Sequence, residues 1–265
     1  MSLYDIKKKL EILELFKKST SAMKLISLSL HHQIKKIIPE YKEKFDNNKT
    51  IIENYFIINH KDDKKIFIFI SSDRGFCGDY INNIFYQFQE VYKTNIENAI
   101  YLIVGKALIH KIKSSQYKSN QIIEFISFKA ERFSLLYREI NTLIQEKNIK
   151  IIIAYYTEAT NISKRTINSY SFNKDYNSYE IKKNFSTGHF ESKSIIESFL
   201  NYSFECFIYN IFYQSFFAEQ GARFIAMDNA LTNTNEAIDK NQKLYFKLRQ
   251  QKINNQLQDL VSSLL

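Results

Sequence analysis

The chain has 265 residues, which is enough for a substantial hydrophobic core in one or two domains. Its formal net charge of +9 permits nucleic acid, an anionic membrane surface or an acidic protein as the partner, and charge alone does not choose among them. The only cysteines, Cys77 and Cys206, lie far apart in sequence, which excludes a zinc motif and fits a reduced intracellular compartment. The apolar runs are too short to cross a bilayer and nothing resembles a signal peptide, so the sequence predicts a soluble or peripheral protein.

The apolar residues of the amino-terminal segment follow heptad spacing, which is typical of a long helix that pairs with another helix. Pro39, the only proline, predicts a kink in this helix or its end. We place this first coiled-coil helix at residues 1–55. Its heptad positions are Leu3, Ile6, Leu10 and Leu13 and, after a shift in phase, Phe16, Met23, Ile26, Leu30 and Ile37.

The middle of the chain, residues 56–190, alternates short β-rich runs with helical stretches. This alternation predicts a parallel, Rossmann-like α/β domain. Residues 161–188, rich in Ser, Asn, Tyr and Lys, predict edge structure and loops. The predicted strands are 66–70, 100–104, 122–128 and 149–156, and the predicted helices are 81–94, 106–113 and 133–147.

The segment 71–79 follows the first predicted strand of this domain and opens a helix, which is where α/β proteins place phosphate loops and nucleophile elbows. It matches neither motif, and a nucleophilic Cys77 would also need a histidine base, for which the five histidines offer no recurrent spacing. We therefore predict a structural turn in which two glycines supply unusual dihedrals and an aspartate caps the helix or pairs with the neighbouring arginine. The residues of this turn are Asp73, Arg74, Gly75 and Gly78. A second strand-to-helix turn, at Gly105 and Lys106, carries too little for a phosphate site.

Residues 191–265 contain no proline and predict a second coiled-coil helix. A helix of roughly 70 residues spans ~105 Å, so it must project beyond its own core. Neither terminal helix buries enough apolar surface alone, and we expect them to pair as an antiparallel coiled coil. The apolar positions are Phe199, Tyr202, Cys206, Tyr209, Tyr213, Phe217 and Phe224 in the first part and Ile253, Leu257, Leu260, Val261 and Leu264 at the end. An end that stays apolar predicts a partner.

Basic residues are concentrated in the last third of this helix, with no carboxylate among them. This pattern favours either a solvated lysine-rich face or a basic coiled-coil module that binds nucleic acid, and the latter predicts salt-sensitive retention on DNA or RNA. An α/β enzyme with Cys77 or Asp73 at its site is a further alternative. The basic residues are Lys240, Lys243, Lys247, Arg249 and Lys252.

Four segments in chain order carry patterns of one family. They are Asp5-Ile6-Lys7 with 20–24 (D-I-R and T-x-A-M), 72–78 (S-D-R-G-L-C-G), 219–230 (E-x-x-A-R-M-x-A-M-x-x-A), and Tyr245, Arg249-Gln250, Ile253 and Leu257 (Y-N-x-x-R-Q-x-x-I-T-x-E-L). Together they resemble the gamma subunit of the F-type ATP synthase, the rotor of its central stalk. The chain departs from the family pattern at Asp79, Gly221, Phe246, Asn254 and Gln256, and these departures leave the fold prediction unchanged.

The resemblance implies an antiparallel coiled coil that reaches into a ring of alternating alpha and beta subunits, with an α/β domain that contacts the epsilon subunit and the c-ring. It implies that the chain transmits torque between the proton-driven membrane ring and the catalytic ring, so that ATP synthesis is coupled to proton transport. It implies no catalytic residue, no metal, no cofactor and no nucleic acid for this chain. The implied location is peripheral, on the cytoplasmic side of the bacterial inner membrane.

The resemblance also assigns contact residues, position by position. Arg249 and Gln250 match positions that touch a loop of a beta subunit. Met23 and Lys24 match positions on the opposite helix, near the acidic lever of a beta subunit. Ile253 and Leu257 belong to the apolar stripe at the carboxyl end, which we expect to lie in a sleeve formed by the surrounding subunits.

Overall fold

The computed structural model describes residues 2–58, 64–94, 99–115, 117, 122–125, 128, 133–175, 179–181 and 193–264. The chain divides into two compact units, which we call the coiled-coil unit (1–27 and 224–265) and the α/β unit (28–223). Two long helices, α1 (Leu3–Tyr55) and α5 (Lys193–Leu264), contribute residues to both units. The predicted domain boundaries at 55–56 and 190–191 stay a prediction, and the second boundary lies outside the described residues.

The α/β unit combines strands with short helices, as the alternating sequence pattern predicts. The strands are β1 (Phe56–Ile58), β2 (Lys65–Ile70), β3 (Ala99–Val104), β4 (Ile122–Phe125), β5 (Ile151–Ala159), β6 (Arg165–Asn173) and β7 (Tyr179–Ile181). The helices are α2 (Tyr80–Thr94), α3 (Lys106–Ser114) and α4 (Phe133–Glu146). Residues 126 and 127, the predicted continuation of β4, lie outside the described residues.

The main sheet has five strands in the order β4-β3-β2-β5-β6, and β1 pairs with β7 in a separate two-stranded sheet. The four predicted strands, β2, β3, β4 and β5, are parallel to one another, as the alternating pattern predicts. Strand β6, from the segment predicted to supply edge structure, is antiparallel to β5. The reason is the short connection at 160–164, because a parallel pair needs a crossover of a dozen or more residues. Strand β6 supplies the edge structure expected from residues 161–188.

The central strand β2 is buried on both faces, which explains its unbroken apolar run. Ile66, Ile68 and Ile70 belong to the core cluster that contains the buried aromatic residues of α5. Phe67 and Phe69 point into the other cluster, formed with α2 and α3. The ring of Phe69 lies edge-on to the ring of Phe88 at 5.4 Å.

Helices α1 and α5 pair antiparallel in the α/β unit, as predicted. The His31 ring stacks on Phe217 with a centroid distance of 4.0 Å. Farther along α1, the Tyr41 ring lies 5.6 Å from the Tyr209 ring, so α5 numbers fall as α1 numbers rise. Pro39 does not end α1, which continues to Tyr55. Pro39 is exposed and lies away from the packed face of the helix.

In the coiled-coil unit, the packed face of α1 keeps one uninterrupted heptad register, so the predicted shift in phase is wrong. Its positions are Leu3, Ile6, Leu10, Leu13, Lys17, Thr20, Lys24 and Ser27. Ser27 is 1% exposed, whereas its apolar neighbour Ile26 is 60% exposed. The backbone register thus overrides hydrophobicity, because a slip of one residue would break the knobs-into-holes packing along the rest of the helix.

Candidate functional site

The turn after β2 is fixed to the neighbouring strand-to-helix connection of the α/β unit. The Asp73 carboxylate accepts hydrogen bonds from the backbone N–H of Lys106, at 3.3 Å, and of Phe128, at 2.9 Å. Asp73 therefore contacts the start of α3, whereas the sequence led us to expect a cap on α2 or a pair with Arg74. The backbone N–H of Ala107 donates to the Ser72 carbonyl at 3.0 Å and completes this attachment.

The backbone of the turn is left-handed at Gly78 (φ 56°) and at Phe76 (φ 61°), and not at Gly75. A phenylalanine with this φ is a strained exception, since only glycine adopts it freely. The neighbouring connection contains a tighter constraint at Gly105, which has φ 110°. A Cβ on Gly105 would lie 2.7 Å from the Ser71 carbonyl carbon, so only glycine allows the two backbones to approach.

A buried polar cluster joins the same turn to α5. Glu219 Oε1 lies 2.5 Å from Arg223 Nη2 and 2.7 Å from the Ser72 hydroxyl, which donates to it. Arg223 Nη2 also donates to Ser72 Oγ at 3.0 Å. The ion pair is enclosed, with side chains 5% exposed for Glu219 and 13% for Arg223. Burial raises the pKa of Glu219, and the adjacent Arg223 guanidinium opposes the rise.

Cys77 has the properties of a buried structural cysteine. Burial raises the pKa of its thiol to about 11, and the nearby Glu219 carboxylate adds to the rise. A cysteine nucleophile needs a thiolate near neutral pH, so this environment disfavours the enzyme alternative. Within the described ranges, no group of three His, Cys, Asp or Glu side chains is arranged to hold a metal ion.

The predicted contact residues on α1 lie in the coiled-coil unit, and they differ in their surroundings. The Met23 side chain is exposed. Lys24 Nζ pairs with Asp228 of α5 at 2.6 Å and lies 5.3 Å from the centre of the Phe224 ring. Lys24 is thus paired within the chain, whereas the exposed Met23 side chain is accessible to another protein.

The carboxyl end of α5 carries the other predicted contact residues. From 251 to 263 every residue is exposed, including Ile253 and Leu257, and Arg249 and Gln250 are also exposed. Gln250 is placed between Phe246 and Ile253 on one helix face, because residues three or four apart are neighbours.

The apolar stripe at this end does not continue the coiled-coil face of α5. That face consists of Met227, Leu231, Thr234, Ile238, Asn241, Tyr245 and Leu248. The same register beyond Leu248 reaches the polar residues Lys252, Asn255, Asp259 and Ser262. Ile253, Leu257 and Leu260 lie roughly 120° to 180° from the centre of that face, on the other side of the helix. The stripe is therefore exposed on a side of α5 that does not pack against α1.

A sequence model of the family described as ATP synthase matches residues 2–264. The chain belongs to the ATP synthase family. Among its relatives is the ATP synthase gamma chain of Buchnera aphidicola subsp. Schlechtendalia chinensis, which is 26% identical over 97% of this chain and 96% of that protein. The family that the sequence motifs indicate is thereby confirmed, and nothing in these relatives supports the nucleic-acid alternative.

Solved structures of this family share the fold. One is a chain of the Euglena gracilis mitochondrial ATP synthase, OSCP/F1/c-ring, in rotational state 3, with a TM-score of 0.72, 15% identity, and coverage of 99% of this chain and 93% of that chain. Another is a chain of the rotor of the same enzyme in rotational state 1, with a TM-score of 0.68, 16% identity and coverage of 95% and 98%. They confirm the predicted fold class of long terminal helices with a central α/β domain.

Sequence reasoning found both halves of the buried cluster but did not bring them together. The segments 72–78 and 219–230 were recognised separately as ATP synthase family patterns. The available signal was the Glu-x-x-x-Arg spacing of Glu219 and Arg223, which places two charges on one face of an otherwise apolar stretch of α5. Charged residues are almost never fully buried unless they are paired, so this spacing predicts a structural ion pair.

Proposed function

We propose that this chain is the central rotor of an F-type ATP synthase, which transmits torque between a proton-driven membrane ring and a catalytic ring of alpha and beta subunits. Membership of the ATP synthase family and the gamma chains among its relatives support this function. The structural observation that carries it is the outward apolar surface of the coiled-coil unit. Phe16, Met23 and Ile26 of α1 are exposed, although the packed face beside them is polar.

An outward apolar surface on a coiled coil supports a rotor that turns inside other proteins. Contiguous exposed apolar surface of this kind marks a protein–protein contact. Apolar contacts are non-directional, so a helix can turn within an apolar sleeve without breaking a fixed set of hydrogen bonds. Leu257 and Leu260 extend the same property to the end of α5.

The polar contacts of the rotor would lie on the exposed faces of the two helices. Arg249 and Gln250 would make directional contacts with a beta-subunit loop, and Met23 would face the beta lever on the other helix. The exposed lysines that precede Arg249 would complement an acidic surface of the ring. The α/β unit would contact the epsilon subunit and the c-ring. The c-ring is part of the Euglena assembly to which the similar chain belongs, which supports the second of these contacts.

The chain itself would be non-catalytic and would bind no nucleotide. The assembled enzyme would hold it at the cytoplasmic side of the bacterial inner membrane as a peripheral subunit. In the part of the chain that the structure describes, no helix is both long enough and apolar enough to span a bilayer. Membrane attachment would therefore come through the complex.

Co-purification tests this function most directly. A tagged chain expressed in its own cells should be recovered with alpha and beta subunits in a complex that hydrolyses ATP. Arg249→Ala should leave the subunit stoichiometry normal and lower ATP hydrolysis, because loss of a hydrogen bond to a charged group typically costs ~1.5 to 3 kcal/mol. Recovery without alpha and beta subunits, or ATP turnover by the pure chain, would contradict the rotor function.

A further inference from the structure

The Ser72–Glu219–Arg223 cluster is a directional part of the attachment of α5 within the α/β unit, beside the buried hydrogen bond that the Tyr80 hydroxyl donates to the Ser215 carbonyl at 3.2 Å. On one side, Asp73 and the close approach of Gly105 fix the turn to the β3–α3 connection. On the other side, Glu219 and Arg223 fix the same turn to α5. The cluster therefore forms a continuous polar link from the parallel sheet to the long helix, within the α/β unit.

The rest of the attachment is mainly aromatic and apolar. Phe204, Phe207 and Phe212 of α5 pack in the core cluster that includes β2 and β5. Such contacts hold the helix on the sheet, and each of them is individually weak and non-directional. The ion pair between Glu219 and Arg223 lies within α5 and holds the two side chains toward the turn. The hydrogen bonds that each of them makes with Ser72 have a defined geometry, so these bonds oppose rotation of the helix about its own axis. Arg223 is also the last residue that α5 contributes to the α/β unit.

We propose that Glu219 is a positioning residue for energy coupling: with Arg223 and Ser72 it fixes the rotational angle of α5 on the α/β unit, so that torque passes between them without slip. This inference rests on the proposed rotor function. It assigns to the cluster a mechanical task, which is distinct from the contacts that the rotor makes with other subunits.

The energetic cost of the buried polar groups indicates that the cluster serves to orient α5 and not mainly to stabilise the fold. Glu219 Oε2 and the Ser215 hydroxyl are buried and have no hydrogen-bond partner within the described residues. Burying charged and polar groups in this way is costly, and well-packed apolar residues often stabilise a core equally well. A buried ion pair at the end of an aromatic core therefore fits a need for fixed geometry.

The test measures protons pumped per ATP hydrolysed by the intact complex in sealed vesicles. The variants are Glu219→Gln, Arg223→Gln and both together. The matched control is Glu158→Gln, which disrupts another polar link of the α/β unit, from Glu158 to Lys42 at 2.9 Å and to Asn168 at 2.6 Å. We expect each single cluster variant to lower the ratio by about two- to tenfold while ATP hydrolysis continues. The double variant should lower the proton-to-ATP ratio no further than either single variant does, because the two residues act as a pair.

Each outcome decides the inference. A parental ratio in the cluster variants, or an equal loss in Glu158→Gln, overturns it and leaves the rotor function standing. If both charge variants prevent assembly, Ser72→Ala decides, since it removes one hydroxyl and retains the ion pair. A lowered ratio with Ser72→Ala supports the inference, and a parental ratio overturns it. A parental chain that does not assemble with alpha and beta subunits would instead contradict the proposed function.

Discussion

At the scale of single residues, Lys174 is a base whose charged group is partly withdrawn from solvent. Its ammonium group lies 4.6 Å from the centre of the Phe204 ring and donates a hydrogen bond to Asn141 Oδ1. Burial lowers the pKa of Lys174 from its ordinary 10.5 to about 8. The folded chain therefore releases this proton at a lower pH than the unfolded chain does.

The Lys174→Met variant should lack the pH dependence of stability that this proton causes in the parent. Between pH 8 and 10.5 the unfolded parent binds more protons than the folded parent, so the stability of the parent rises with pH. Relative to Lys174→Met, we expect the parent to gain about 1 to 2 kcal/mol across this window, a value reduced for partial solvent exposure. Urea unfolding at several pH values measures the difference. Lys113→Met, at a lysine whose side chain is 60% exposed, is the control for loss of a surface lysine. A pH-independent difference for Lys174→Met would refute the explanation.

The Gly105→Ala variant should be among the most damaging small substitutions. The new methyl group would meet the Ser71 backbone at 2.7 Å and would also strain a φ of 110°. We expect a loss of about 2 to 5 kcal/mol in the free energy of unfolding. Gly75→Ala is the matched control, because nothing lies within 4 Å of its added Cβ. Equal urea midpoints for the two variants would contradict this account.

The contrast between Gly75 and Gly105 shows what sequence could predict at this scale. Sequence reasoning located the turn at 71–79 and gave it a structural role. It did not show that Gly105 has no room for a Cβ whereas Gly75 has, because the obstructing atoms of Ser71 lie far from Gly105 in sequence. The same distance hid the hydrogen bond from Asp73 to the start of α3.

At the scale of elements, α1 demonstrates that a heptad register is a geometric property of the whole helix. The sequence predicted its length and its pairing, because Leu3, Ile6 and Leu10 repeat in register. The prediction of the packed face was wrong where apolar residues leave that register, because Phe16 and Met23 suggested a shift in phase. Their exposure shows that hydrophobicity alone does not identify the face that packs within the chain.

Two substitutions in α1 should separate these faces. Ile6 is fully buried, so Ile6→Ala should cost the isolated chain about 2 to 4 kcal/mol of coiled-coil stability. Phe16→Gln alters an exposed residue and should change stability by less than about 0.5 kcal/mol. Thermal unfolding followed by far-UV circular dichroism measures both. In the assembled enzyme Phe16→Gln should impair rotation more than Ile6→Ala does, because Phe16 would then face the ring. A large loss of stability in isolated Phe16→Gln would place that side chain inside the chain's own core.

At the scale of the whole molecule, the sequence predicts which helices exist better than it predicts what surrounds them. Long periodic segments predicted both α1 and α5, and the alternating middle predicted the α/β unit. Residues 161–188 were predicted to supply edge structure, but the bounds and direction of β6 were not predicted, because its residues are mostly polar and only partly buried. The surrounding proteins leave only an indirect trace in one chain, as apolar residues such as Leu257 that are exposed among the described residues.

The end of α5 offers a test of that surrounding surface. Leu257→Met conserves volume and should be nearly silent in the complex, at a cost below about 1.5 kcal/mol. Leu257→Asp with Leu260→Asp should bring charge into an apolar sleeve and impair assembly or rotation. Recovery of the intact complex and its ATPase rate compare the variants. If the double aspartate behaves like the parent, this end of α5 is solvated in the enzyme.

The exposed run from 251 to 263 also bears on how a cell must make this protein. Before assembly, an isolated helix end without tertiary contacts frays and is open to proteolytic cleavage. The outward leucines and isoleucines would also promote aggregation of the free chain. We therefore expect unassembled copies to be short-lived. Supply of this chain would then have to match the supply of the proteins that cover it, and overproduction alone should yield degraded or insoluble material.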